Sequence, residues 1–240
     1  RFSRMGIMLG GAAARAGEKL KAKIMAIAAH RLGVAIDQLR YEGGDVLAHD
    51  GRRFTWDEMV ELAHRQYHNL PDGMDPGLAS FDIMQVPTGD ALPVDDKVQM
   101  YPCYSFEFHL LLVSFDPIIG RPDIHSYVIG HDCGTVINPA IVSGMTYGGI
   151  AHGIGAALFE EFAYDANGQL LTQSFLDYLM PSSHEVPAIQ IVKHCTPSPH
   201  TVFGQKGSGE SGYLGAPAAV SGAINDAVSG LGIHFEKLPI

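Results

Sequence analysis

The 240-residue chain carries 26 Asp and Glu against 16 Lys and Arg, a formal net charge of −10, with 46% hydrophobic and 18% charged residues. That balance belongs to a packed globular protein rather than a disordered one, and an acidic chain without a basic run is a poor partner for nucleic acid or an anionic membrane surface. No apolar stretch approaches the roughly 18–20 residues that span a bilayer, and Cys103, Cys133 and Cys195 supply neither a disulfide framework nor a C-x-x-C motif, so reduced thiols and a cytoplasmic setting are the default.

The sequence opens at Arg1 and reads directly into a helix, without the basic and apolar regions of a signal peptide. It is expected to lack its start or to be one piece of a larger protein. Ala13, Ala16, Leu20, Ile24 and Ile27 recur at helical spacing and predict an amphipathic helix over 12–32, with Gly33 as its C-cap. Short strands over 39–54 are joined by turns at Gly43-Gly44 and Asp50-Gly51. Thr55 and Glu58 form a capping box that starts a second helix, running to about Gln66. Residues 69–102, rich in Pro, Gly and Asp, read as a long surface excursion.

Residues 105–129 predict a hairpin turning at Asp116-Pro117 and Gly120-Arg121. In its first strand Phe106, Phe108, Leu110 and Leu112 alternate with Ser105, Glu107 and His109, before Leu111, Val113 and Phe115 make both faces apolar. A strand half exposed and then fully buried is expected. Pro139 suits the first turn of a helix that runs toward Phe162 and contains Gly144, Gly148, Gly149, Gly153 and Gly155. Each glycine costs up to about 1 kcal/mol in a helix interior, which points to close packing against another backbone or a large ligand. A turn at Asp165–Gly168, a strand at 189–195 and a helix from Pro217 to Val228 complete an α+β pattern of mixed sheets with packed Gly-rich helices.

Two segments carry the chemistry-bearing residues. Residues 207–212 spell G-x-G-x-x-G, yet they follow prolines rather than a hydrophobic strand, and Glu210 would set a carboxylate against a pyrophosphate. A dinucleotide loop is therefore disfavoured. Tyr213 in place of glycine removes the G-x-S-x-G elbow as well. Two readings stay open. One is a Gly-rich surface loop with a solvated Glu. The other is a loop whose glycines admit a ligand beside Lys206 and whose carboxylate, in a tight and partly dry site, has a raised pKa suited to proton abstraction. The second segment, His131 to Pro139, follows a buried strand, a common place for a ligand site. His131, Asp132 and Cys133 alternate in direction along an extended chain, which argues against a shared zinc. His152 and His109 read as packing and surface residues.

In these segments the chain resembles the C-terminal part of the molybdopterin-binding large subunit of the xanthine oxidase family, the molybdenum hydroxylases. It is nearest in look to the carbon monoxide dehydrogenase-like and N-heterocycle-hydroxylating members. The residues that carry the resemblance are Arg1–Met5, Asp132-Cys133-Gly134 with Asn138-Pro139, the Gly-rich helix 144–161, Lys206–Glu210, and Gly215-Ala216-Pro217 with Asn225-Asp226-Ala227, all in the family's order.

The resemblance implies a molybdopterin-binding portion over 1–240, subdivided near 1–102 and 103–240. It implies Glu210 as the catalytic base beside molybdenum, the metal being held through the pterin rather than by the protein. It implies cofactor contacts from Arg1, Phe2, Ser3, Arg4 and Met5, from Cys133, Thr135 and Asn138, and from Lys206, Gly207, Ser208 and Gly209. The implied cofactor is molybdopterin, in its cytosine dinucleotide form. The implied partners are a polypeptide carrying the rest of the subunit, an iron–sulfur subunit with 2Fe-2S clusters, a flavin subunit with FAD, and a small-molecule substrate, with no nucleic acid and no membrane span. The implied reaction adds water-derived oxygen to an electron-poor carbon. Met145 stands where many relatives have Gln, and Tyr147 where His is frequent. The rival expectations are therefore hydration of a conjugated enone at the same cofactor, or a non-catalytic structural subunit.

Overall fold

The computed structural model describes residues 5–87, 101 and 103–240, in two compact units. One unit is Met8–Gln85; the other joins the residues before it to Val86–Ile240.

In the first unit α1 (Gly10–Leu32) ends at Gly33, whose φ of 64° is the left-handed conformation expected of a glycine C-cap. The predicted stripe holds from Ala16 onward, with Ile24 and Ile27 buried, while Ala13 is exposed. The strands β1 (Leu39–Glu42), β2 (Asp45–Ala48) and β3 (Arg53–Phe54) form an antiparallel meander. Both bonds of the capping box are present at Thr55 and Glu58, and α2 runs Trp56–His64, slightly shorter than expected. Leu39, Val46, Phe54, Met59 and Leu62 close the core against Ile24 and Ile27.

In the second unit β4 (Phe106–Asp116) and β5 (Arg121–Asp132) form the predicted hairpin, with a bulge between Leu112 and Val113. β6 (Ile189–His194) adds parallel to β5, giving the order β4-β5-β6. The helices α3 (Pro139–Leu158) and α4 (Ala216–Val228) supply Ile150, Ile154, Ala157, Val220 and Ile224 to a core completed by Tyr127 and Ile129 of β5. Pro139 opens α3 as expected, and the Asn138 side chain caps it, accepting from the Ala140 and Ile141 N–H groups, each at 3.1 Å.

The expectation for β4 needs correction, because no residue of that strand is fully buried. Phe106, Phe108, Leu110 and Leu112 lie on the exposed face, whereas Glu107 and His109 share the inward face with Leu111, Val113 and Phe115. The polar pair therefore points toward the helices.

Candidate active site

The fold brings together the two segments singled out in the sequence. The Lys206 N–H donates to the Cys133 carbonyl (2.8 Å) and the Thr135 N–H to the Gly204 carbonyl (3.1 Å). A side chain at Gly134 would collide with the Gly204 carbonyl, so this crossing requires glycine. Gln205, buried beneath it, accepts from the Phe203 N–H and donates through Nε2 to the Gly6 carbonyl, which ties the residues just after Met5 to the same region.

Asp132 anchors the crossing. Its carboxylate accepts from the Gly134 N–H (2.8 Å), the Thr196 N–H (3.2 Å) and the Thr196 hydroxyl, and pairs with Lys206 Nζ at 3.3 Å. Both charged side chains are buried, 8% and 6% exposed. Burial opposes the charge on Asp132, but the Thr196, Gly134 and Lys206 donors outweigh it and hold the carboxyl far below the usual carboxylate range. The Lys206 ammonium also donates to Thr196 Oγ1 (2.6 Å) and lies 5.3 Å from the Phe106 ring centroid. The basic group that the sequence set beside Glu210 is thus engaged with Asp132, and what Lys206 adds to the loop is its backbone.

The loop 207–212 belongs to no helix or strand, and α4 begins only at Ala216. Its shape is fixed by glycine packing. A side chain at Gly149 would strike the Ser211 carbonyl, one at Gly153 the Ala216 side chain, and one at Gly212 the Thr146 carbonyl. Gly149 of α3 thus answers to the loop backbone and Gly153 to the start of α4, whereas Gly144 and Gly148 meet nothing within 4 Å among the described residues.

Near the start of the loop Ser208 Oγ is buried without a hydrogen-bond partner among the described residues. Glu210 is exposed, and no hydrogen bond or ion pair engages its carboxylate among the described residues. The dry surroundings expected for it are not formed by those residues. A buried hydroxyl left unsatisfied is costly unless something polar docks against it. Ser208 and Glu210 thus leave a donor and an acceptor uncommitted within three residues, and a polar group carried by a bulky cofactor fits them.

The other expected contacts fall unevenly. Cys133 is buried, and burial pushes its thiol pKa up, so at neutral pH it is a protonated thiol. The Asn138 carboxamide oxygen is engaged at the α3 cap, which leaves its amide protons for another partner. Met5 is 70% exposed. Arg1, Phe2, Ser3 and Arg4 lie outside the described residues.

The sequence reading missed the polar cluster under the loop. His109, read as a surface residue, is buried, with Nε2 3.3 Å from Glu107 Oε2 and Nδ1 2.7 Å from the Tyr127 hydroxyl. The Gly212 N–H donates to Glu107 Oε1 (2.8 Å), and His131 Nε2 bonds Ser211 Oγ (2.9 Å). The signal was available in parity, since Glu107 and His109 share the odd-numbered register of Leu111, Val113 and Phe115. His152, read as a packing residue, stacks on Tyr213 with ring centroids 4.3 Å apart.

The family described as molybdopterin cofactor-binding domain matches residues 3–187. The chain belongs to that family, and the α+β fold and the resemblance drawn from its motifs are borne out. It is 35% identical over 239 residues to the nicotine 6-hydroxylase large subunit of Paenarthrobacter nicotinovorans, covering 99% of this chain and 28% of that protein. It is 31% identical over 237 residues to the carbon monoxide dehydrogenase large chain of Hydrogenophaga pseudoflava, covering 99% and 28%. The quinoline 2-oxidoreductase structure from Pseudomonas putida 86 superposes with a TM-score of 0.76 at 33% identity, covering 99% of this chain and 29% of that one. The chain thus spans a little over a quarter of the length of these relatives. No helix among the described residues is long and apolar enough to cross a membrane.

Proposed function

We propose that this chain is the C-terminal cofactor-binding portion of the large subunit of a molybdenum-dependent hydroxylase or dehydrogenase, with Glu210 as its base. The observation that carries the proposal is the pair on the glycine loop that has no partner among the described residues: a buried Ser208 hydroxyl and an exposed Glu210 carboxylate, on backbone fixed by packing. The backbone of Lys206, Gly207, Ser208 and Gly209 would line the molybdopterin, in its cytosine dinucleotide form. Cys133, Thr135, Asn138 and the segment Arg1–Met5 would hold it from the other side. When bound, that group supplies a Lewis-acidic, redox-active metal that acidifies water.

In this reading the Glu210 carboxylate accepts the proton from a water-derived oxygen bound for an electron-poor carbon of a small substrate. Ser208 orients the group through its hydroxyl, and the Asp132–Lys206 pair keeps the loop's entry fixed. The rest of the large subunit would close the site. Iron–sulfur and flavin subunits would carry 2Fe-2S clusters and FAD, because three scattered cysteines, all unpaired, cannot bind a cluster. The unpaired cysteines also support a cytoplasmic setting. Elemental and pterin analysis of the assembled protein tests the proposal. Molybdenum equimolar with this chain is expected. A fully active assembly without molybdenum would contradict it, and stoichiometric iron without molybdenum would indicate an electron-transfer assembly instead.

A further inference from the structure

We propose that Glu107 and His131 act as a buried clamp that sets the Glu210 loop, as positioning residues rather than catalytic ones. The inference rests on the reading of Glu210 as the base. Glu210 is exposed, yet the two residues that follow it are buried, and each is held by a side chain from a different strand. Glu107 of β4 accepts the Gly212 N–H at 2.8 Å, and His131 of β5 bonds the Ser211 hydroxyl at 2.9 Å.

Glycine packing shapes the loop, and these two side chains fix the residues that directly follow Glu210. The loop's own backbone bonds, Ser211 N–H to the Ser208 carbonyl and Tyr213 N–H to the Glu210 carbonyl, are long at 3.2 Å each. The clamp is itself held from below. His109 Nε2 lies 3.3 Å from Glu107 Oε2, and its Nδ1 lies 2.7 Å from the hydroxyl of fully buried Tyr127. A side chain at Gly215 would run into the His109 ring, so the same histidine fits against the start of α4.

A carboxylate and two imidazoles inside a sheet–helix interface are costly unless each finds partners. Here Glu107 and His131 find partners on the loop that carries Glu210, and His109 finds its own in Glu107 and Tyr127. Burial opposes the charge on Glu107, but the His109 and Gly212 donors outweigh it and hold its carboxyl below the ordinary range. Burial likewise pushes the His131 pKa down, against the pull of Glu107 and Asp132, so the imidazole is neutral near pH 7. The clamp therefore presents a charged acceptor to Gly212 and a neutral ring to Ser211.

The test uses the assembled, molybdenum-loaded enzyme carrying Ser211→Ala, Glu107→Ala or Glu107→Gln. Amide hydrogen exchange over 208–213, kcat, KM and molybdenum content are read together. Glu107→Ala should speed exchange over 208–213 roughly tenfold or more, the worth of a hydrogen bond to a charged group, and Ser211→Ala by about two- to tenfold, the worth of a neutral one, while β5 and α3 keep their protection. Turnover should fall about 10²-fold, as expected for a base misplaced by about 1 Å, with KM and molybdenum content held. Glu107→Gln keeps an oxygen for the Gly212 N–H but loses the charge and one acceptor toward His109, so it should recover part of the protection and turnover lost in Glu107→Ala. Unchanged exchange over 208–213, or exchange raised equally across β5, α3 and the loop, would overturn the clamp. Should Glu107→Ala fail to fold, Ser211→Ala decides alone. Faster exchange confined to 208–213, with Glu210→Gln still fully active, would support the clamp and overturn the reading of Glu210 as base. Unchanged exchange with Glu210→Gln inactive would do the reverse.

Discussion

Two adjacent glycines of α3 should respond in opposite ways to the same methyl group. In a helix interior, alanine is favoured over glycine by up to about 1 kcal/mol. At Gly148 the added carbon meets nothing within 4 Å among the described residues, so Gly148→Ala should stabilise the protein by most of that amount. At Gly149 it collides with the Ser211 carbonyl and lies 2.9 Å from the Tyr213 nitrogen. Relaxed contact is about 3.5–4.0 Å, so the 211–213 backbone must retreat by about 1 Å. Overpacking of this kind typically costs about 1–3 kcal/mol, which cancels or exceeds the helical gain and separates the two variants by a similar amount. Glu210 directly precedes the displaced backbone, and about 1 Å of misplacement can cost roughly 10²-fold in rate. Thermal unfolding and turnover at matched molybdenum content check both halves. Equal melting shifts and equal turnover in the two variants would refute the packing of α3 as the device that shapes the loop.

Further outcomes follow from the buried charges and from the first unit. Lys206→Met leaves Asp132 with its Thr196 and Gly134 donors and should cost up to about 3 kcal/mol, whereas Asp132→Ala strands the ammonium and two N–H groups and should cost more; native-state hydrogen exchange in β5 ranks them. The Asp132 and Glu107 pKa values are lowered in the folded state, so their stabilisation is complete above the unfolded carboxylate pKa near 4 and is lost as pH falls below it toward the folded values. Urea midpoints should therefore drop on acidification, and less steeply in Asp132→Asn than in the parent. Thr55→Ala removes the side-chain half of the capping box and should destabilise α2 by about 1 kcal/mol, with Thr55→Ser retaining most of it. Fluorescence of Trp56, the chain's single tryptophan, at the start of α2, reports that loss.

Local signals were legible because local physics writes them. Gly33, the Thr55–Glu58 box, the Asp116–Arg121 turn and Pro139 each act within a few residues, and the elements they delimit lie within about a turn of the expected places. Pairings distant in sequence were not legible. Nothing near Ile189 announces a parallel neighbour in β5, and nothing near Lys206 announces that Asp132 takes its charge. The facing of β4 went wrong for a specific reason. The apolar residues Phe106 to Leu112 invite burial, yet the described chain leaves them exposed and turns Glu107 and His109 inward. The glycines of α3 signalled close approach without naming the partner, and the fold divides them: Gly149 and Gly153 meet the loop and α4, and Gly148 meets nothing.

The central claim is that Glu210 moves the proton while the surrounding backbone holds the cofactor. Glu210→Gln keeps the side chain's size and polarity but cannot accept the proton, so turnover of the assembled enzyme should fall by about 10²–10⁴-fold, the usual contribution of a positioned base, at unchanged molybdenum content. Parental turnover by Glu210→Gln at full molybdenum occupancy would contradict it.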